Sequence, residues 1–190
     1  MKILLQIAAL VFILNIFTAK AETVSFTMSA EVERTAAINL DKDFIGQYIK
    51  DLQIYPKFFP NIVSVTKLND TESEWLYNVE APLATPYNLT FLLEDKSSGD
   101  TLLFESKDKV KDYLYCSGIL NQTAENKTKI AFVFKISMTR EKASDIHFLA
   151  GILGEKFLSE QMKSKLEGDL ETFISKATKD MYVANRTSGK

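Results

Sequence analysis

The chain has 190 residues, 46% of them hydrophobic, with 23 basic and 25 acidic side chains and a formal net charge of −2. This balance, with no basic cluster, argues against nucleic acid as a partner. A single cysteine, Cys116, excludes an intramolecular disulfide, and one histidine beside it cannot build a zinc site.

Residues 1–21 read as a secretory leader. Lys2 supplies the positive start, Ile3 to Phe17 form an apolar run broken only by Gln6 and Asn15, and Ala19-Lys20-Ala21 offers a cleavage site before Glu22. The run is short for a membrane span, which needs about 20 apolar residues. Cleavage would remove Lys2 and Lys20, taking the formal charge to −4 and leaving no stable membrane anchor. The mature protein is therefore expected to be exported. A compact leader and the lack of disulfides point to a periplasm. Asn-x-Thr sequons at Asn69, Asn88, Asn121, Asn126 and Asn185 matter only in a source that glycosylates.

Residues 24–34 alternate, with Val24, Phe26, Met28, Ala30 and Val32 on one face, and predict a long half-buried strand. Asn39 to Asp43 offers capping side chains, and Phe44, Ile45, Tyr48, Ile49 and Leu52 follow at helical spacing. The segment Tyr55-Pro56-Lys57-Phe58-Phe59-Pro60 should end that helix in an apolar elbow, since each proline removes a donor and restricts the residue before it. Strand-like runs follow at about 61–68, 74–81, 86–94, 101–107, 111–120 and 128–138, joined by short polar links that favour an antiparallel meander. From about 145 to 181 the period changes. Leu158, Met162, Leu166, Leu170, Phe173, Ala177 and Met181 recur at steps of three or four, predicting one long amphipathic helix. Residues 22–183 thus form one α+β domain, with a polar, flexible tail over 184–190.

The strand ending in Glu33-Arg34-Thr35-Ala36-Ala37-Ile38, the segment Asp51-Leu52-x-x-Tyr55-Pro56-x-Phe58-x-Pro60, Gly118, Thr128 and the long helix together carry a resemblance. The chain resembles the START-like (SRPBCC, helix-grip) superfamily, and within it the polyketide cyclase/dehydrase and coenzyme Q-binding family. That resemblance implies a curved antiparallel sheet of seven strands wrapped around the C-terminal helix, with two short helices after the first strand. It also implies a hydrophobic cavity holding a lipid, isoprenoid or polyketide-like molecule for transport or sequestration. A cyclase or hydrolase using the same cavity and an interaction module with a packed core are the alternatives. The leader departs from the better-known members, which act in the cytosol or mitochondria.

Catalytic groupings are sparse. His147 has no Gly-x-Ser-x-Gly partner motif, no Gly-rich phosphate loop occurs, and no cofactor or metal ligand set is expected. Cys116 sits in a strand pattern where a thiol behaves as a small hydrophobe. Glu80, Glu94 and Glu105 lie near strands as candidate bases, but alternation sets Glu80 opposite Trp75 and Tyr77, on the solvent side. Aromatic residues are the stronger signal, because ligand cavities are mostly apolar with a few polar groups. Alternation assigns Phe26, Met28, Trp75, Tyr77, Tyr87, Phe91, Phe104, Phe132 and Phe134 to the inner face, joined by Leu153 and Phe157 from the helix and Phe58 from the elbow. In 111–120 both Tyr113/Tyr115 and Leu114/Cys116 are plausible inner sets. Gly151 and Gly154 allow either close approach of the elbow or an open cavity mouth.

Overall fold

The computed structural model describes residues 25–80, 87–146 and 148–188, so the expected leader and His147 lie outside the described residues. The first strand, β1 (Phe26–Ile38), extends beyond the alternating run to Ile38, with Ala36 and Ile38 continuing the apolar even-numbered face. Asp41 then caps α1 (Lys42–Lys50), its carboxylate accepting from the backbone N–H groups of Asp43 at 2.8 Å and Phe44 at 3.2 Å. Ile45 and Ile49, one turn apart, carry that helix into the core.

The elbow contains a single helical turn of its own, α2 (Ile54–Phe58). Pro56 is tolerated as its third residue, because the N–H groups of a first turn have no intrahelical partner to lose. The Phe59 N–H closes the turn on the Tyr55 carbonyl at 2.8 Å, and Pro60 then prevents continuation.

Six strands follow: β2 (Ile62–Lys67), β3 (Glu72–Val79), β4 (Tyr87–Asp95), β5 (Thr101–Ser106), β6 (Asp112–Ala124) and β7 (Lys127–Arg140). They form one antiparallel sheet in the order β1-β7-β6-β5-β4-β3-β2, a meander closed at its far end by β1. Asn126, at φ 51°, supplies the left-handed residue of the β6–β7 hairpin, a conformation asparagine tolerates better than most. Register settles the strand that alternation left open. Leu114 and Cys116 lie opposite Ile136 and Phe134 on the buried face, while Tyr113 and Tyr115 are only half-buried. Gly118 pairs with Phe132, and a Cβ there would come within 3.4 Å of the Phe132 ring and of Ile130.

The expected continuous helix from about residue 145 needs correction. A 3-10 turn at Ala143–Asp145 comes first, and helical structure resumes as α3 (Ala150–Ser188). Gly154 interrupts it at φ 80°, ψ 159°, a conformation essentially restricted to glycine, so the unbroken helix starts at Glu155. Its other end stays helical through the polar residues to Ser188, with Thr187 Oγ1 donating to the Ala184 carbonyl at 2.8 Å. No helix among the described residues is long and apolar enough to cross a membrane.

Leu158, Leu166, Leu170, Phe173, Ala177 and Met181 form the buried stripe of α3, facing the concave side of the sheet. The helix also lies along the open edge of β1. Thr27 N–H donates to Glu155 Oε1, Ser29 N–H to Ser159 Oγ at 3.1 Å, and Asn39 N–H to the Tyr182 hydroxyl at 3.0 Å. Arg34 on the same strand reaches Glu171 at 3.1 Å and Glu167 at 3.8 Å. These contacts satisfy backbone donors that an edge strand would otherwise offer to another chain.

Candidate functional site

The interior between sheet and α3 has two parts of different chemistry. Nearest the elbow, buried rings lock together. Phe173 of α3 stacks on Tyr55 with centroids 5.4 Å apart and planes 9° apart, and it meets Phe59 at 5.9 Å and Phe132 edge-on at 5.8 Å. Tyr55 in turn contacts Trp75 at 4.8 Å and Phe104 at 6.0 Å, and Phe59 stacks on Phe134 at 4.7 Å. The Tyr55 hydroxyl donates to the Ile49 carbonyl at 3.0 Å, and the Trp75 indole N–H to Ser73 Oγ at 2.8 Å. Cys116 lies beside Tyr55, and burial pushes its thiol up to about 12, so it is packed as a hydrophobe rather than poised as a nucleophile.

This arrangement corrects the elbow assignment. In a one-turn helix Tyr55 and Phe59 are four residues apart and share a face, so they turn inward together. Phe58, expected inside, is only half-buried and carries the Lys57 ammonium 4.7 Å above its ring. Phe157 also departs from expectation: it is 41% exposed, while its neighbour Leu158 takes the buried position. Trp75, Phe104, Phe132 and Phe134 join the ring cluster, Met28 is buried near the other end of β1, and Phe26 and Leu153 are half-buried against the core. Tyr87 belongs to β4 by its backbone pairing with Val79, but its side chain lies outside the described residues.

The second part begins where Tyr77 meets Phe91 edge-on at 6.4 Å. Beside Tyr77 runs a chain of polar side chains. Asn61 Nδ2 donates to Asp169 Oδ2 at 2.7 Å, and Lys165 Nζ lies 3.5 Å from Asp169 Oδ1 and 3.1 Å from Glu80 Oε2. Asn61 is fixed just before β2, its carbonyl accepting from the Asn78 N–H at 2.8 Å. Lys165 and Asp169, four residues apart on α3, share one helix face. Asp169 is only 3% exposed, and burial raises its carboxyl above the usual range, with Lys165 opposing. Burial also raises the Tyr77 phenol, the Asn61 amide opposing it and the carboxylates of Asp169 and Glu80 adding to it.

A search of solved structures finds the same architecture repeatedly. The ZhuI aromatase/cyclase from Streptomyces sp. R1128 superposes with a TM-score of 0.64 at 13% identity, over 85% of this chain and 98% of that one. A protein of Thermus thermophilus gives 0.59 at 13% identity, covering 81% and 98%. The di-domain aromatase/cyclase StfQ of the steffimycin pathway gives 0.57 at 10% identity, covering 86% of this chain and 53% of that one. The chain has the START-like, helix-grip fold. No family model and no curated protein matches the sequence.

Within the helix-grip frame, the polar chain of Asn61, Lys165 and Asp169 is what sequence reasoning missed. One signal was available: Asp169 stands three residues after Leu166 and four before Phe173, on the apolar stripe of the helix. Two other buried hydroxyls bond to backbone groups. Ser106 Oγ accepts from the Leu114 N–H at 2.8 Å, and Thr128 Oγ1 donates to the Leu40 carbonyl at 2.9 Å. Asp169, by contrast, joins side chains from three separate elements, beside an aromatic pair. Such a group can accept hydrogen bonds or hold a proton next to apolar surface.

Proposed function

We propose that the mature protein is exported and binds a hydrophobic small molecule, of lipid, isoprenoid or polyketide-like character, between the concave sheet and α3. Binding serves transport or sequestration. The observation that carries this is the Tyr77–Phe91 pair lying directly against the Asn61–Asp169 contact. It sets apolar contact area beside a small number of polar groups, the composition small-molecule sites share. The fold held in common with aromatase/cyclases supports a ligand of that size and character. Phe91 and Tyr77 are the lining residues favoured most, while the rings around Phe173 serve as the packed floor. A second reading, an enzyme acting on the bound molecule, is favoured by the raised carboxyl of Asp169 beside the Tyr77 phenol.

The test is to express the full chain with its leader, fractionate the cells, and examine the purified protein by native mass spectrometry and lipid extraction. A reproducible apolar adduct, recovered from the exported fraction and lost in Phe91→Ala, is the expected result. No adduct, together with no thermal shift across fatty acids, isoprenoid alcohols and aromatic polyketides, would overturn it.

A further inference from the structure

Given the ligand-binding reading above, we infer that the ligand presents a neutral hydroxyl, an alcohol or phenol, to Asp169, and that the site discriminates against carboxylates. Among the described residues, the charged side chains joined in this chain are Glu80, Lys165 and Asp169, two acidic against one basic. A carboxylate brought here meets two like charges with only one ammonium to offset them, and the repulsion from Asp169, which is buried, is weakly screened.

A neutral donor meets a different situation. Asp169 Oδ2 is engaged by Asn61 at 2.7 Å, but among the described residues Oδ1 has only the 3.5 Å contact with Lys165. Charge-assisted bonds of full strength run at about 2.7–2.9 Å, so Oδ1 retains acceptor capacity that a ligand O–H can use. The Tyr77 ring links the polar chain to Phe91, so one molecule can rest its apolar body on the ring pair while its hydroxyl reaches the carboxylate. Lys165 is held from both sides, by Glu80 just beyond β3 and by Asp169 one turn along α3.

The experiment is isothermal titration of the full chain with three matched probes: 2-naphthol, 2-methylnaphthalene and 2-naphthoate. Wild type is expected to bind the naphthol about tenfold more tightly than the methyl compound, the size of a hydrogen bond to a charged group, and to bind the naphthoate most weakly. Asp169→Asn should shrink both differences. Glu80→Gln, at a half-exposed position, should ease the naphthoate penalty while leaving the naphthol preference in place, and it carries the test should Asp169→Asn fail to fold. Equal binding of the three probes by wild type, or a preference for the naphthoate, overturns the hydroxyl assignment while leaving the binding function standing. An unchanged naphthoate penalty in Glu80→Gln overturns it as well. Failure of all three probes to bind counts against both.

Discussion

Phe173→Ala is the substitution that most directly tests how the helix is gripped. The ring is 1% exposed and touches three other rings, contributed by α2, the elbow and β7. Removing it forfeits about 1.5–3 kcal/mol of apolar transfer. A cavity cost adds to this, and Phe→Ala changes in cores total about 3–5 kcal/mol. The upper half of that range is expected here. Tyr55 is tied by its hydroxyl to Ile49, and Phe132 is held in the β6–β7 ladder, so neither can relax into the space. A loss of about 4–5 kcal/mol is a large part of the total stability of an ordinary domain, about 5–15 kcal/mol. Urea unfolding followed by the fluorescence of Trp75, the sole tryptophan and a neighbour of the cluster through Tyr55, reads the change. Phe157→Ala, at a position 41% exposed, is the control and should cost about 1 kcal/mol or less. If Phe173→Ala costs under about 2 kcal/mol, or no more than the control, the ring cluster is not what fastens α3 to the sheet.

Two further outcomes follow from backbone geometry and charge. Gly154→Ala forces a side chain into φ 80°, ψ 159° and should lower stability by about 1–3 kcal/mol, although a Cβ there meets nothing within 4 Å. Gly168→Ala, within regular helix and equally open, should instead raise stability by about 0.5–1 kcal/mol, and equal urea midpoints for the two would contradict the backbone assignment. Glu105 is bonded by Lys109, by Lys96 at 2.9 Å and by the Tyr113 hydroxyl at 3.0 Å, which together lower its carboxyl from 4.5 to about 2. A carboxylate depressed in the folded state contributes stability that is complete above its unfolded value and lost as pH falls through the folded one. Wild type should therefore lose more stability than Glu105→Gln between pH 4.5 and about 2, and parallel acid-unfolding curves would refute the assignment.

Local sequence determined the elements because the backbone itself sets their periods. Two residues per repeat along a strand and 3.6 along a helix sort side chains into faces before any tertiary contact forms. That is why alternation placed Met28, Trp75, Tyr77, Phe91, Phe104, Phe132 and Phe134 on the buried face, and why the stripe from Leu158 to Met181 predicted the long helix. Where a residue's neighbours in space come from distant parts of the chain, periodicity had nothing to report. Phe59 rather than Phe58 turns inward because α2 closes a single turn against the stack formed with Phe134. Cys116 faces inward because the long β6–β7 ladder fixes it opposite Phe134. Gly154 breaks the helix where the composition alone allowed it to continue. Asn61 and Asp169 stand 108 residues apart; the apolar stripe marked Asp169 as out of place, but its partner Asn61 is met only when α3 settles across the concave face. Burial of that carboxylate, and so the chemistry assigned to it, is a property of the packed arrangement: a charge acquires an altered affinity for protons only once the surrounding water has been displaced.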